Sequence, residues 1–333
     1  MISSIALGPA GSRTRRPRPV IPGLRREVCA LLIAALLLPV PGTAQTSSPA
    51  AIPGLSHPYA LASTYDAILN ADFDLVSARM SPACGDVPAW CDVMDAVSVW
   101  WQIALDPDSR MHDARFSGVV ERAITSAEEW TRTERVRAEA WFALGSAYGA
   151  RAQWRVERKQ RLAAARDGKR IKSSLERALT LDPLLHDAKF GIGLYRYYAA
   201  VAPAALRILR WLLLLPGGDR KAGLQQMTDA YEHSDVVRGE AAYQLHLIYL
   251  WYENRPADAL TLIRELQQRH PRNPLFVLIE AMILDTYFHD IDASARVLRG
   301  LIVRAESADV NEAALAIRRA QALLHALDAR IAR

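Results

Sequence analysis

A self-similarity at fixed spacing constrains this chain more than any other feature. Ala242, Leu245, Tyr249, Ala259, Ile263 and Leu266 recur 34 positions later as Phe276, Ile279, Ile283, Ala293, Val297 and Gly300. Steps of three, four and seven within each half of the set trace one face of a helix. A repeat of this length holds two helices and a turn, and such a unit cannot bury its apolar face alone, so neighbours must stack. The rest of the chain agrees: Ala, Leu, Arg and Glu dominate, Pro or Gly marks the breaks, and no run of alternating β-branched residues appears. Helices are expected near 58–70, 73–80, 91–105, 113–130, 134–165, 168–181, 185–200, 203–215, 219–232, 237–253, 256–269, 274–288, 291–305 and 310–331. The expected fold is all-α, with helix pairs packed in series.

Two signatures sharpen this reading. Trp141-x2-Leu144-Gly145-x2-Tyr148 forms a first-helix pattern and Leu175-x2-Ala178-x4-Pro183 a second-helix ending. In these residues the chain resembles the tetratricopeptide-repeat family. A small residue such as Gly145 or Ala178 lets two helices approach while the large ones fill the neighbouring groove. The resemblance covers residues 134–305 as four units, two of them lengthened: one between Tyr148 and Leu175, the other between Phe190-x2-Gly193-Leu194-x2-Tyr197 and Gly223-x3-Met227-x2-Ala230. It implies an α-solenoid with elongated central helices and a concave face built from the first helix of each pair, used for peptides or folded partners. Residues 58–130 are expected to form divergent helix pairs and 310–333 a capping helix.

The N-terminus reads as a targeting segment. Residues 25–44, RREVCALLIAALLLPVPGTA, place Arg25 and Arg26 before an apolar core from Val28 to Val40 and small residues at Gly42-Thr43-Ala44. That is the order of a secretory signal, with cleavage expected after Ala44; an uncleaved anchor is the alternative. The core is shorter than the roughly 20 apolar residues of a transmembrane helix. A Ser/Pro/Ala linker follows at 45–57. The whole chain has 41 basic and 36 acidic residues, but the first 44 residues, removed with the expected signal peptide, hold six arginines and Glu27, so 35 of each remain. The mature protein is formally neutral, which gives no support to a nucleic-acid partner. Localisation is expected to be periplasmic or secreted.

Cysteine usage fits export. Cys29 lies in the leader, and Cys84 and Cys91 flank the short loop CGDVPAWC. In an oxidising compartment this pair is expected to form a disulfide, stabilising by about 2.5 kcal/mol in the loop-entropy account. Two thiols are too few for a closed zinc site.

The apolar stretch ALRILRWLLLLPGGDRKAG, residues 205–223, has neither the spacing nor the hydroxyl of a phosphate loop. Pro203, Arg207 and Arg210 interrupt it as a membrane span. A helix stopped by Pro216-Gly217-Gly218, followed by Asp219 as the next N-cap, fits better. The alternative is peripheral membrane contact through 203–215.

Signs of chemistry are sparse. The histidines at 57, 112, 186, 233, 246, 270, 289 and 325 include no His-Glu-x2-His pair, and no metal or cofactor site is expected. His246 occupies the small-residue position of a repeat and is expected to pack. Asp285, His289, Asp290 and Asp292 read as a polar turn with Asp292 as a cap, and LDPDSRMHD at 105–113 as caps and a turn. Glu139 and Glu240 are the acids placed near the groove. The segment 151–172 carries nine basic residues against Glu157 and Asp167. Its Arg151, Arg155 and Arg158 are candidates for holding an acidic partner, the alternative being a solvated helical face. Among the aromatics, Trp100, Tyr197 and Tyr249 are expected in the core and Tyr195, Tyr198 and Tyr252 at a partner. These features suggest an exported, non-enzymatic scaffold that binds a peptide or protein in its groove. The alternatives are a membrane-surface envelope assembly factor and a helical enzyme acting on envelope polymers.

Overall fold

The computed structural model describes residues 50–201 and 217–331. The expected leader and the expected 203–215 helix lie outside the described residues. Every regular element described is helical: α1 Pro58–Leu69, α2 Leu75–Cys84, α3 Pro88–Leu105, α4 Asp113–Thr133, α5 Ala138–Glu157, α6 Arg161–Leu181, α7 His186–Val201, α8 Arg220–His233, α9 Arg238–Trp251, α10 Pro256–Arg269, α11 Pro274–Phe288, α12 Ile291–Glu306 and α13 Ala313–Ile331. One isolated parallel bridge joins Ile52 to Arg137. No described helix is long and apolar enough to cross a membrane.

Boundaries follow local chemistry. Pro58, Pro88, Pro256 and Pro274 open helices at the first turn, where the missing N–H costs nothing. Asp219, Asn273 and Asp290 cap theirs by accepting from the N–H of Ala222, Leu275 and Ala293 at 3.0, 2.9 and 2.8 Å. Asp290 therefore takes the role expected of Asp292. The expected break near Asp167-Gly168 is displaced to 158–160. Lys159 there takes a left-handed φ of 61° without a glycine, and Asp167 lies inside α6, buried in an ion pair.

Consecutive helices pack as antiparallel pairs, the pairs stack, and the result is an α-solenoid. The central pair is elongated: α5 has 20 residues and α6 has 21, about 30 Å each. Gly145 makes this pair possible, because a Cβ there would collide with the Leu175 side chain. The α7–α8 pair is closer still: a Cβ on Gly193 would lie 2.8 Å from the Gly223 carbonyl oxygen. Helix α11 is largely apolar, its charged residues Glu280 and Asp285 pairing with Arg264 and Arg330, and is sandwiched. Phe276 and Ile283 join the main core that begins at Leu61, while Val277 and Ala281 join a second cluster with Leu298, Leu301, Ala316 and Leu327. Cys84 and Cys91 are disulfide-bonded, their Cα atoms 5.7 Å apart.

The N-terminal helices close back over the stack. Leu69, at the end of α1, accepts from Asn273 Nδ2 at 2.6 Å, and its side chain sits where a Cβ on Gly239 of α9 would be. Trp101 of α3 packs on Tyr243 and Phe276, ring centroids 5.0 and 6.2 Å away. Asp72 binds Arg272 and Asn311 at 3.0 and 2.6 Å, and Asp106 binds Arg318 at 2.6 Å.

Candidate functional site

The first helices of the pairs meet the chain's own α1 and α3 at the positions expected to line a groove. Glu139, in the first turn of α5, has no exposed surface. Its carboxylate accepts from Trp90 Nε1 at 2.9 Å and from Ser56 Oγ at 2.5 Å. Glu240 occupies the equivalent place in α9 and is also buried, accepting from Tyr65 Oη at 3.0 Å and Gln244 Nε2 at 3.1 Å. Burial pushes the Glu240 carboxyl up from its ordinary range, against the pull of these donors, and raises Tyr65 in turn. Buried Trp101 Nε1 lies beside this pair without a hydrogen bond of its own. These carboxylates hold elements together and face no open cleft.

The three arginines singled out on α5 and its C-cap turn toward the chain. Arg158 has a side chain only 3% exposed. It binds Asp113 through Nε and Nη2 and donates to the carbonyls of Pro107 and Ser109 at 2.7 and 3.0 Å. Burial would raise Asp113, but hydrogen bonds from Arg158 and Trp154 outweigh it and hold the carboxyl below its usual range. Arg151 and Arg155 converge on buried Asp167 at 2.8 and 2.5 Å, and Arg151 also reaches Glu121 at 2.6 Å. The exposed cations of the segment are Lys159, Arg161, Arg166, Lys169 and Arg170.

The structure brings Tyr198 and Tyr252 together, 5.7 Å apart edge to face, with Tyr197 5.9 and 6.0 Å from the two rings. Tyr197 is buried and donates its hydroxyl to Glu253, which Arg220 binds at 2.7 Å. Burial and then Glu253 raise the Tyr197 phenol. Tyr252 is 36% exposed and Trp251 39%. Arg255 lies over the Tyr249 ring, 4.4 Å from its centroid. Tyr195 instead lies against α6, its ring 3.8 Å from where a Gly168 Cβ would be. Trp100 is buried and Tyr249 half-buried.

One group of metal-capable side chains converges among the described residues: His186, Asp229 and His233. His186 opens α7, while Asp229 and His233 share the last turn of α8. His186 Nδ1 lies 2.8 Å from Asp229 Oδ2 and His233 Nδ1 lies 3.5 Å from Oδ1. The rings are 5.2 Å apart. Lys189 Nζ approaches Asp229 Oδ2 at 3.0 Å and His186 Nδ1 at 3.1 Å. Burial opposes ionisation of Asp229, yet hydrogen bonds from His186 and Lys189 bring its carboxyl below the usual range. Sequence reading missed this group. Asp229-x3-His233 was the visible signal, two ligand types one helical turn apart on one face, but His186 arrives from 43 residues away through antiparallel packing. The other two acidic clusters are engaged as caps and pairs: Asp285 with Arg330 at 2.6 Å, Asp290 as an N-cap, Asp106 and Asp113 with arginines.

A scan against models of known protein families finds no match to this sequence, and a search of curated proteins finds none either.

Proposed function

We propose that this chain is an exported, non-enzymatic scaffold of tetratricopeptide type that holds a peptide or protein partner. The observation that carries the reading is the aromatic surface at the C-terminal ends of α7 and α9. There exposed Trp251 and Tyr252, backed by Tyr198 and Tyr197, stand beside Arg220 and Arg255. Trp, Tyr and Arg on a rigid support are the residues that dominate protein interfaces, and the Gly193–Gly223 contact makes α7–α8 such a support. In this reading the partner docks at the ends of the first helices, because the opening turns of α5 and α9 already hold α3 and α1. The leader at 25–44 and the Cys84–Cys91 bridge support export, since disulfides persist in oxidising compartments. Exposed Lys159, Arg161, Arg166 and Lys169 support an acidic partner better than Arg151, Arg155 and Arg158, whose charge is matched internally.

The test is a photo-crosslinking amino acid placed at Tyr252 and, as a control, at the more exposed Tyr59. A discrete protein adduct is expected from position 252 in the producing cell and none from position 59, and Trp251→Ala should abolish it. Equal adducts from both positions, or an adduct indifferent to Trp251→Ala, would refute the assignment.

A further inference from the structure

We propose that His186, Asp229 and His233 form a binding site for a divalent transition metal of the zinc class, which enters by displacing the Lys189 ammonium. The donor set is two imidazole nitrogens and one carboxylate oxygen. It suits Zn²⁺, Cu²⁺, Ni²⁺ or Co²⁺ and not Ca²⁺ or Mg²⁺, which require more oxygen ligands.

The spacing is already close to what such an ion needs. Tetrahedral zinc with bonds of about 2.1 Å has ligand–ligand edges of about 3.4 Å. His186 Nδ1 lies 2.8 Å from Asp229 Oδ2 and His233 Nδ1 3.5 Å from Asp229 Oδ1, and a set of one donor atom from each residue lies within 4.8 Å of one another. Rotation of the two rings completes the triangle. His233 is 54% exposed, so the fourth position faces water.

The backbone holding these donors is fixed by contacts that the ion would not disturb. Asp187, next to His186 and buried, accepts from the N–H groups of Val236 and Val237 at 2.8 and 2.9 Å and of Asp235 at 3.3 Å. It thereby ties the start of α7 to the turn that immediately follows His233. Farther along the same hairpin, the Gly193–Gly223 backbone contact sets how α7 and α8 lie against each other. The two histidines are therefore held at the mouth of a hairpin pinned on both sides.

Lys189 makes the proposal specific. Its ammonium touches both His186 Nδ1 and Asp229 Oδ2, so a cation already sits against two of the three donors. A dipositive ion taking its place must push out the Lys189 side chain, which has a solvent path because it is 22% exposed. Removing that ammonium should therefore tighten metal binding, whereas removing any donor should weaken it.

The experiment is calorimetric titration of ZnCl₂ into the tag-free full chain at neutral pH. One saturable equivalent is expected. His186→Ala and His233→Ala should each weaken it at least 10–100-fold, the loss that disturbing even an outer ligand partner brings. Lys189→Met should strengthen it. Co²⁺ should give a visible absorption band that Zn²⁺ removes, and Ca²⁺ should not compete. His233 lies at an exposed helix end, so its variant retains the fold, which far-UV dichroism verifies. Absence of a saturable site, wild-type affinity in both histidine variants, or weaker binding in Lys189→Met would overturn the proposal.

Discussion

Gly239→Ala decides by its sign whether α1 is seated on α9. Gly239 lies in the first turn of α9, in an ordinary helical conformation, and on an isolated helix alanine would stabilise by about 0.5 kcal/mol. In the folded chain the added methyl would occupy the space of the Leu69 side chain, with His270 Nε2 at 3.5 Å behind it. Leu69 is buried and Asn273 holds its carbonyl, so the collision can be relieved only by repacking. Overpacking of this kind costs about 1–3 kcal/mol, and the substitution should be net destabilising by about 1–2 kcal/mol. Leu69→Ala alone should cost about 2–5 kcal/mol through the cavity it leaves. In that background the obstructing atoms are gone, so Gly239→Ala should turn neutral or stabilising. Urea unfolding of the four proteins, followed by dichroism, gives the coupling energy directly, about 1–2.5 kcal/mol here. Additivity within 0.5 kcal/mol would show that Leu69 and Gly239 do not touch, and that the stack is open where we describe it as closed.

Two further outcomes are expected. Arg158→Met leaves Asp113 and two carbonyls without their donor. Discounted for the partial exposure of Asp113, it should cost about 2–3 kcal/mol and lower Tm by roughly 5–10 °C, whereas Arg166→Met on the exposed face should change stability by less than about 0.5 kcal/mol; a Tm within 1 °C of wild type for Arg158→Met would contradict the internal role of this arginine. His246 is fully buried and burial lowers its pKa from 6.5 to about 3, so on acidification the unfolded chain takes up a proton that the folded chain refuses, and stability falls as pH drops below about 6.5. His246→Leu should abolish this component, about 1.4 kcal/mol per pH unit at most. Urea midpoints of both proteins between pH 4.5 and 7 check it, the difference between them cancelling the opposite-signed contribution of raised Glu240. An unchanged pH slope would count against a neutral buried imidazole.

The helix inventory was legible because it rests on local signals. Proline at the first turn, Asp219 as an N-cap and the spacing around Trp141 act over a few residues and leave a direct trace in the pattern. The α5–α6 turn was not legible, because its left-handed residue is Lys159 and the apparent breaker, Gly168, sits inside a helix. Nor was the direction of the arginines. A run of positive charge looks the same whether its carboxylates are absent or waiting 12 to 45 residues away, as Asp167 and Asp113 are. The closure of α1 on α9 depends on contacts such as Tyr65–Glu240, 175 residues apart. An amphipathic pattern reports that a face is buried without naming what buries it. The His186–Asp229–His233 group failed for the same reason: two of its members are a local motif and the third is supplied by packing.

The equivalence of Glu139 and Glu240 gives α3 a structural purpose. Both stand two residues before the leading position of a first helix, Trp141 in α5 and Ala242 in α9, and both are met by a tryptophan of α3. Trp90 and Trp101 are separated by 11 residues, about 16–17 Å along a helix axis. Helices α5 and α9 are two steps apart in the stack, with α7 between them, and packed helices lie about 8–10 Å from one another. Helix α3 thus reaches both helices: Trp90 donates to Glu139, and Trp101 packs on Tyr243 and Phe276 beside Glu240. A partner that entered the groove at the opening turns would have to displace α3 and take the Trp90 donor from buried Glu139, a loss on the order of 1–3 kcal/mol, whereas Glu240 keeps Tyr65 of α1 and Gln244 of its own helix. The reading proposed above, with a partner at exposed Trp251 and Tyr252, requires no such displacement.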